Sequence, residues 1–149
     1  MCVLPFNTRG LMLITVHGGL HADLNATYPV GKCDQESLDL IEATRKSVEE
    51  SIAICKPGVP YRDIGNKIEE IIKPKGYGIV RRYTGHGVHK LVRQIPPAYR
   101  GKADHKFHCQ PNIVHYGGSK TPGRMEAGQV FTIVSLILKQ MRDADGRNQ

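Results

Sequence analysis

The sequence predicts an α+β domain: strands of an antiparallel sheet with two long helices packed on one of its faces. Short apolar runs rich in branched side chains lie near both ends of the chain, at residues 11–16 and 130–138. Between them, two windows repeat apolar residues at spacings of three and four. A chain of 149 residues, 40% hydrophobic, suffices for one packed domain and is too short for two ordinary ones.

Leu11-Met12-Leu13-Ile14-Thr15-Val16 reads as the first strand, and Gly18-Gly19 allow a hairpin into a second strand that starts near Leu20. Asp34 is placed to N-cap a helix over residues 35–55. Its stripe of Leu38, Ile41, Val48, Ile52 and Cys55 is expected to face the sheet, and Lys56-Pro57-Gly58 stops it. A second helix over residues 62–73 carries Ile64, Ile68, Ile71 and Ile72 and ends at Pro74 and Gly76. A short strand over 78–83 then leads into a glycine-bracketed turn, Gly85-His86-Gly87. Residues 92–106 show neither period, contain Pro96-Pro97 and read as an inserted loop. Residues 112–116 form a strand candidate, 125–128 a turn and 130–138 a last strand, before a polar tail expected to fray.

Lys and Arg outnumber Asp and Glu, 21 to 14, for a net charge of +7. The densest basic stretch holds Lys73, Lys75, Arg81 and Arg82 beside Tyr77 and Tyr83. It reads either as a nucleic-acid face or as ordinary solvated surface. Cys2, Cys33, Cys55 and Cys109 show neither a C-x-x-C pair nor zinc-finger spacing, which suggests reduced thiols in a reducing compartment. The apolar runs are too short to span a bilayer. With no basic residue before Arg9 and no cleavage pattern, the expectation is a soluble, cytoplasmic protein.

Three clusters carry residues with chemistry. In His21-Ala22-Asp23 the histidine and aspartate stand at i and i+2, so on a strand they share a face and can converge on one ion; they can equally form a hydrogen-bonded pair on a sheet. In Thr84-Gly85-His86-Gly87-Val88-His89 the glycines permit unusual φ and close approach to a ligand, or simply make a turn whose histidine is satisfied locally. His89 is expected to face away from His86. In Phe107-His108-Cys109-Gln110-Pro111-Asn112 an aromatic beside a histidine can wall a small pocket. His105 pairs with His108 in H-x-x-H spacing but lies in the odd insertion. Cys109 lacks a recognisable orienting group as a nucleophile, and His17 and His115 have no evident partner.

Together, GGLHADLNATYPVGK, CKPGVPYRDIGNKIEEIIKPKGYGIVRRYTGHGVHKL, FHCQPNIVHYGG and MEAGQVFTI resemble methionine aminopeptidase of type I, over roughly residues 17–91 and 107–133. The resemblance implies a partial pita-bread fold, a curved antiparallel sheet backed by helices with two pseudo-symmetric halves. It implies removal of the initiator methionine from nascent proteins by hydroxide activated on two divalent metal ions (Co, Mn, Fe or Zn). The expected partners are nascent polypeptide N-termini, with the ribosome as a further contact. A monomer is expected, with no membrane and no specific nucleic acid. Asp23 takes the place of the aspartate that bridges both ions, and His86 that of the histidine ligand. His108 takes the place of the catalytic, substrate-contacting histidine, and Phe107 that of a wall of the methionine pocket.

The same resemblance exposes departures. Met12 stands where the first ligand aspartate belongs, and Val134-Ser135 follow Phe131-Thr132-Ile133 where a glutamate and proline belong. The second glutamate position falls beyond the chain, and the other substrate histidine before it. Of the two aspartates, one histidine and two glutamates of the family, Asp23 and His86 remain. The chain as written therefore predicts a weak or inactive aminopeptidase. The alternative is a non-catalytic pseudoenzyme that binds nascent peptide, ribosome or RNA through its basic surface, or a chain whose uncovered sheet edges leave it unstable. Residues 1–149 read as one truncated domain with an atypical insertion at 92–106 and an atypical tail at 134–149. Val92 is encodable by a GT start, Lys106 by an AG end, and Val134-Ser135 by GTAAGT, so both atypical stretches fit introns read in frame.

Overall fold

The computed structural model describes residues 8–17, 20–88 and 108–139, and over residues 8–17, 20 and 21 it describes the backbone. The strand pair expected at the start is present: β1 (Thr8–His17) and β2 (Leu20–Pro29) run antiparallel, with Ile14 opposite Asp23 and Met12 opposite Asn25. The Gly18-Gly19 link itself lies outside the described residues, as do Phe107, His105, His89, the insertion at 92–106 and the tail from 140.

Helix α1 (Gln35–Ala53) starts where the sequence places it, because Asp34 holds an extended conformation and its carboxylate accepts the Ser37 backbone N–H at 2.7 Å and the Ser37 hydroxyl at 2.9 Å. Those bonds favour the ionised form and lower the Asp34 pKa. The buried face of α1 differs from the expected stripe. Ser37, Leu40, Ala43, Ser47 and Ser51 are buried, whereas Ile52 is 56% exposed and Leu38, Ile41 and Val48 are only half-buried. Small side chains let α1 lie against helix α2 (Arg62–Ile72). Their hydroxyls are satisfied within the helix, Ser51 donating to the Ser47 carbonyl at 2.6 Å and Ser47 to that of Thr44 at 2.8 Å.

Helix α2 buries Ile64, Ile68 and Ile72, close to expectation, and passes into a 3₁₀ turn over Lys73–Lys75 that Gly76 ends at φ 76°. The isoleucines form the core with Leu40, Tyr61, Ile113, Met125 and Ile137. Tyr61 packs edge-on to Phe131, with ring centroids 5.6 Å apart.

Of the strands expected further along, those at 78–83 and 130–138 are shorter than expected, and the one expected over 112–116 keeps its length but lies three residues earlier. β3 (Tyr77–Ile79) pairs antiparallel with β6 (Ile137–Lys139), and β4 (Gly85–Gly87) pairs antiparallel with β5 (Cys109–Ile113). The strand expected over 130–138 therefore divides. Its start lies along β4, where the Val88 N–H donates to the Val130 carbonyl at 3.0 Å and the Thr132 N–H to that of His86 at 2.8 Å. Its end reaches β3. Lys139 is ion-paired to Glu36 at the start of α1. Among the described residues no helix is long and apolar enough to cross a membrane.

Candidate metal centre

Gly85-His86-Gly87 is a strand, contrary to the turn expected from its glycines, and all three residues are buried. Neither glycine has a positive φ; both are required by close approach. A Cβ on Gly85 would run into the Thr132 carbonyl and lie 2.9 Å from Cε1 of His115, and one on Gly87 would run into the Gln110 carbonyl. The absence of side chains here lets the backbone of β4 sit pinched between β5 and residues 130–132, which holds His86 in the middle of three chain segments.

Each polar group around His86 has a direction. Its Nδ1 lies 3.1 Å from the Gly87 carbonyl oxygen, which can only accept, so Nδ1 carries the hydrogen. The Cys109 thiol donates to the same oxygen at 2.8 Å. Nε2 then faces outward, 3.6 Å from Oδ2 of Asp23 on β2, and both side chains are 9% exposed. Spacing alone paired Asp23 with His21, whose side chain lies outside what is described, whereas the family resemblance paired Asp23 with His86, and the structure brings those two side chains together. The exposed His108 joins them, its ring edge-on to His86 at a centroid distance of 4.2 Å.

Two features make this a candidate ion site. Oδ1 of Asp23 is buried with no hydrogen-bond partner among the described residues, which costs free energy unless something positive meets it. The Nε2···Oδ2 separation also suits a shared cation, since two donors each about 2.1 Å from one ion lie roughly 3.0–3.6 Å apart. A histidine whose second ring nitrogen is anchored on a backbone carbonyl is the usual arrangement for a metal ligand. Yet among the described residues no group of three or more His, Cys, Asp or Glu side chains converges on one point. The pair fits one divalent cation; it does not fit two.

Two further residues, which the sequence did not single out in these roles, shape the site. Thr132 hydrogen-bonds His86 through both its backbone and its hydroxyl. His115, whose ring also lies against Gly85, is 0% exposed. Burial lowers its pKa from the usual 6.5 to about 4, against weak opposition from the Val134 backbone. Neither ring nitrogen makes a hydrogen bond of normal geometry among the described residues. In the basic stretch, Arg81 lies over the Tyr116 ring, 4.9 Å from its centroid, and so helps to pin the segment after β5.

Comparison with known proteins identifies the family and the fold. The profile of Metallopeptidase family M24 matches residues 11–143. Methionine aminopeptidase 1A of Arabidopsis thaliana is 42% identical over 119 residues, which is 80% of this chain and 26% of that protein. Methionine aminopeptidase 1 of Saccharomyces cerevisiae is 39% identical over 80% of this chain and 27% of its own length. This chain thus spans about a quarter of the curated relatives it matches. Among solved structures, methionine aminopeptidase from Rickettsia prowazekii superposes with a TM-score of 0.74 at 25% identity, covering 95% of this chain and 53% of that one. A prolidase from Pyrococcus furiosus, 21% identical with a TM-score of 0.64, shares the fold. The partial pita-bread, α+β architecture expected from the sequence is the one these neighbours have.

Proposed function

Since the chain belongs to metallopeptidase family M24, we propose that it carries part of a metal-dependent aminopeptidase site whose substrates are N-terminal methionines of newly made polypeptides. Membership of a metallopeptidase family implies use of a divalent metal; Mn, Co, Fe and Zn are the candidates. Asp23 and His86 are the residues that would hold it. A bound divalent ion would supply Lewis-acid polarisation and lower the pKa of a coordinated water. His108, at the exposed edge of the pair, would meet the peptide, with Phe107 proposed as a wall of the methionine pocket.

The single observation that supports this reading is the Asp23 carboxylate, one oxygen 3.6 Å from His86 Nε2 and the other buried without a partner. The same pair limits the chemistry. Catalytic metal sites ordinarily use about three protein ligands, and two leave an ion loosely held. By resemblance Met12 and Val134 occupy positions where carboxylates are needed. We therefore expect the isolated chain to hold one ion weakly and to release methionine poorly.

Titration calorimetry of chelator-treated protein with Mn²⁺ tests this directly. The expected result is one weak site, abolished in Asp23→Ala and in His86→Ala, with only slow, EDTA-sensitive methionine release from a Met-Ala-Ser peptide. Binding that survives both substitutions would overturn the assignment, and stoichiometric two-ion binding with rapid turnover would overturn the limit placed on it.

A further inference from the structure

The geometry points to Thr132 as a positioning residue for His86: its hydroxyl replaces one rung of the β-ladder and thereby fixes the orientation of the imidazole. The inference rests on the metal reading above and adds a residue outside the ion's own donors.

Residues 130–132 run antiparallel to β4, with a bridge between Gly87 and Phe131. In a regular ladder, two opposed residues such as His86 and Thr132 exchange a pair of backbone hydrogen bonds. Only one is of that kind here, from the Thr132 N–H to the His86 carbonyl at 2.8 Å. The His86 N–H donates instead to the Thr132 hydroxyl oxygen at 3.1 Å, and that hydroxyl's own hydrogen reaches the His86 carbonyl at 3.5 Å. The Thr132 carbonyl has turned away to lie over Gly85, where the absence of a Cβ makes room for it.

The consequence is local and specific. Thr132 is 8% exposed and His86 7%, so no bulk water is at hand to replace the hydroxyl. Without it, the His86 N–H becomes a buried donor lacking that acceptor, and the β4 backbone is free to rotate. His86 Nδ1 and the Gly87 carbonyl belong to adjacent residues, so rotation of that backbone changes their separation. It also moves Nε2 relative to Asp23. A side chain that only fills space would be served as well by valine, which has the shape of threonine and no hydroxyl.

The test compares Thr132→Val with Thr132→Ser, each checked for folding by its amide spectrum. ¹⁵N NMR of the histidine ring in the metal-free protein reads which nitrogen carries the hydrogen. Calorimetry reads Mn²⁺ affinity. The expected result is that T132V loses the single Nδ1–H form of His86 and binds Mn²⁺ about tenfold to a hundredfold more weakly, the usual effect of removing an outer-shell partner. T132S should keep both properties near wild type. Wild-type behaviour in T132V, or equal damage in T132S, would overturn the role of the hydroxyl. If T132V does not fold, Thr132→Ala takes its place and must lose the single Nδ1–H form that T132S keeps. If wild type binds no Mn²⁺, the metal reading fails, while the ring-nitrogen form in the metal-free protein still decides the role of Thr132.

Discussion

At the scale of single residues, Asp23 is held in a state that suits an ion better than an empty pocket. A carboxylate with 9% of its side chain exposed and one orphaned oxygen destabilises the metal-free fold. Asp23→Asn removes the charge at constant shape, so the metal-free variant should melt at or above the wild-type temperature. Added Mn²⁺ should raise the melting temperature of wild type and leave that of the variant unchanged. A variant less stable than wild type without metal would show that the carboxylate is already satisfied. His115 gives a second test. Its folded pKa of about 4 lies below the usual 6.5, so between those values the unfolded chain takes up a proton that the folded chain refuses. Stability is therefore full above about 6.5 and falls as the pH drops toward 4. Linkage puts the loss from this group at about 2 kcal/mol between pH 7 and pH 5. In His115→Leu, the unfolding free energies obtained by urea denaturation at the two pH values should lie closer together by that amount. Asp23 and His86 were legible in the sequence because short motifs surround them. Thr132 and His115 were not legible in these roles, because each acts on β4 across a long stretch of chain and through backbone geometry.

At the scale of elements, α1 shows where periodicity misleads. The apolar stripe of Leu38, Ile41, Val48 and Ile52 marks one face, yet Ser47 and Ser51 are the residues at 0% exposure. A serine that bonds to its own helix carries little net polarity, and its small volume allows α2 to approach. Ser51→Ala should therefore change stability by less than about 0.5 kcal/mol. Ser51→Leu, which a reading by hydropathy alone would favour, should cost about 1–3 kcal/mol through overpacking. Urea denaturation of the two variants checks both values, and a stable leucine variant would show the α1–α2 contact to be loose. The Asp34 cap, the isoleucines of α2 and the start of β2 were legible because capping, helical spacing and paired glycines are local signals. The strand Gly85–Gly87 was not, since glycine has low intrinsic preference for strands and is selected here by the segments pressed against it.

At the scale of the molecule, the described residues form one core from both helices and the ends of the short strands, while Leu24, Tyr28, Val30 and Val130 stay about half exposed or more. The fold class followed from the order of the elements, but the pairing of the short strands did not. Nothing in residues 130–138 alone shows that the segment splits between β4 and β3. We propose that Asp23 and His86 hold one divalent cation; the described residues supply no donor set for a second. Crystals of the metal-free protein soaked in Mn²⁺ and measured for anomalous scattering test it most directly. The account predicts a single manganese peak per chain, between the Asp23 carboxylate and His86 Nε2. Two fully occupied peaks, or none at that pair, would contradict it.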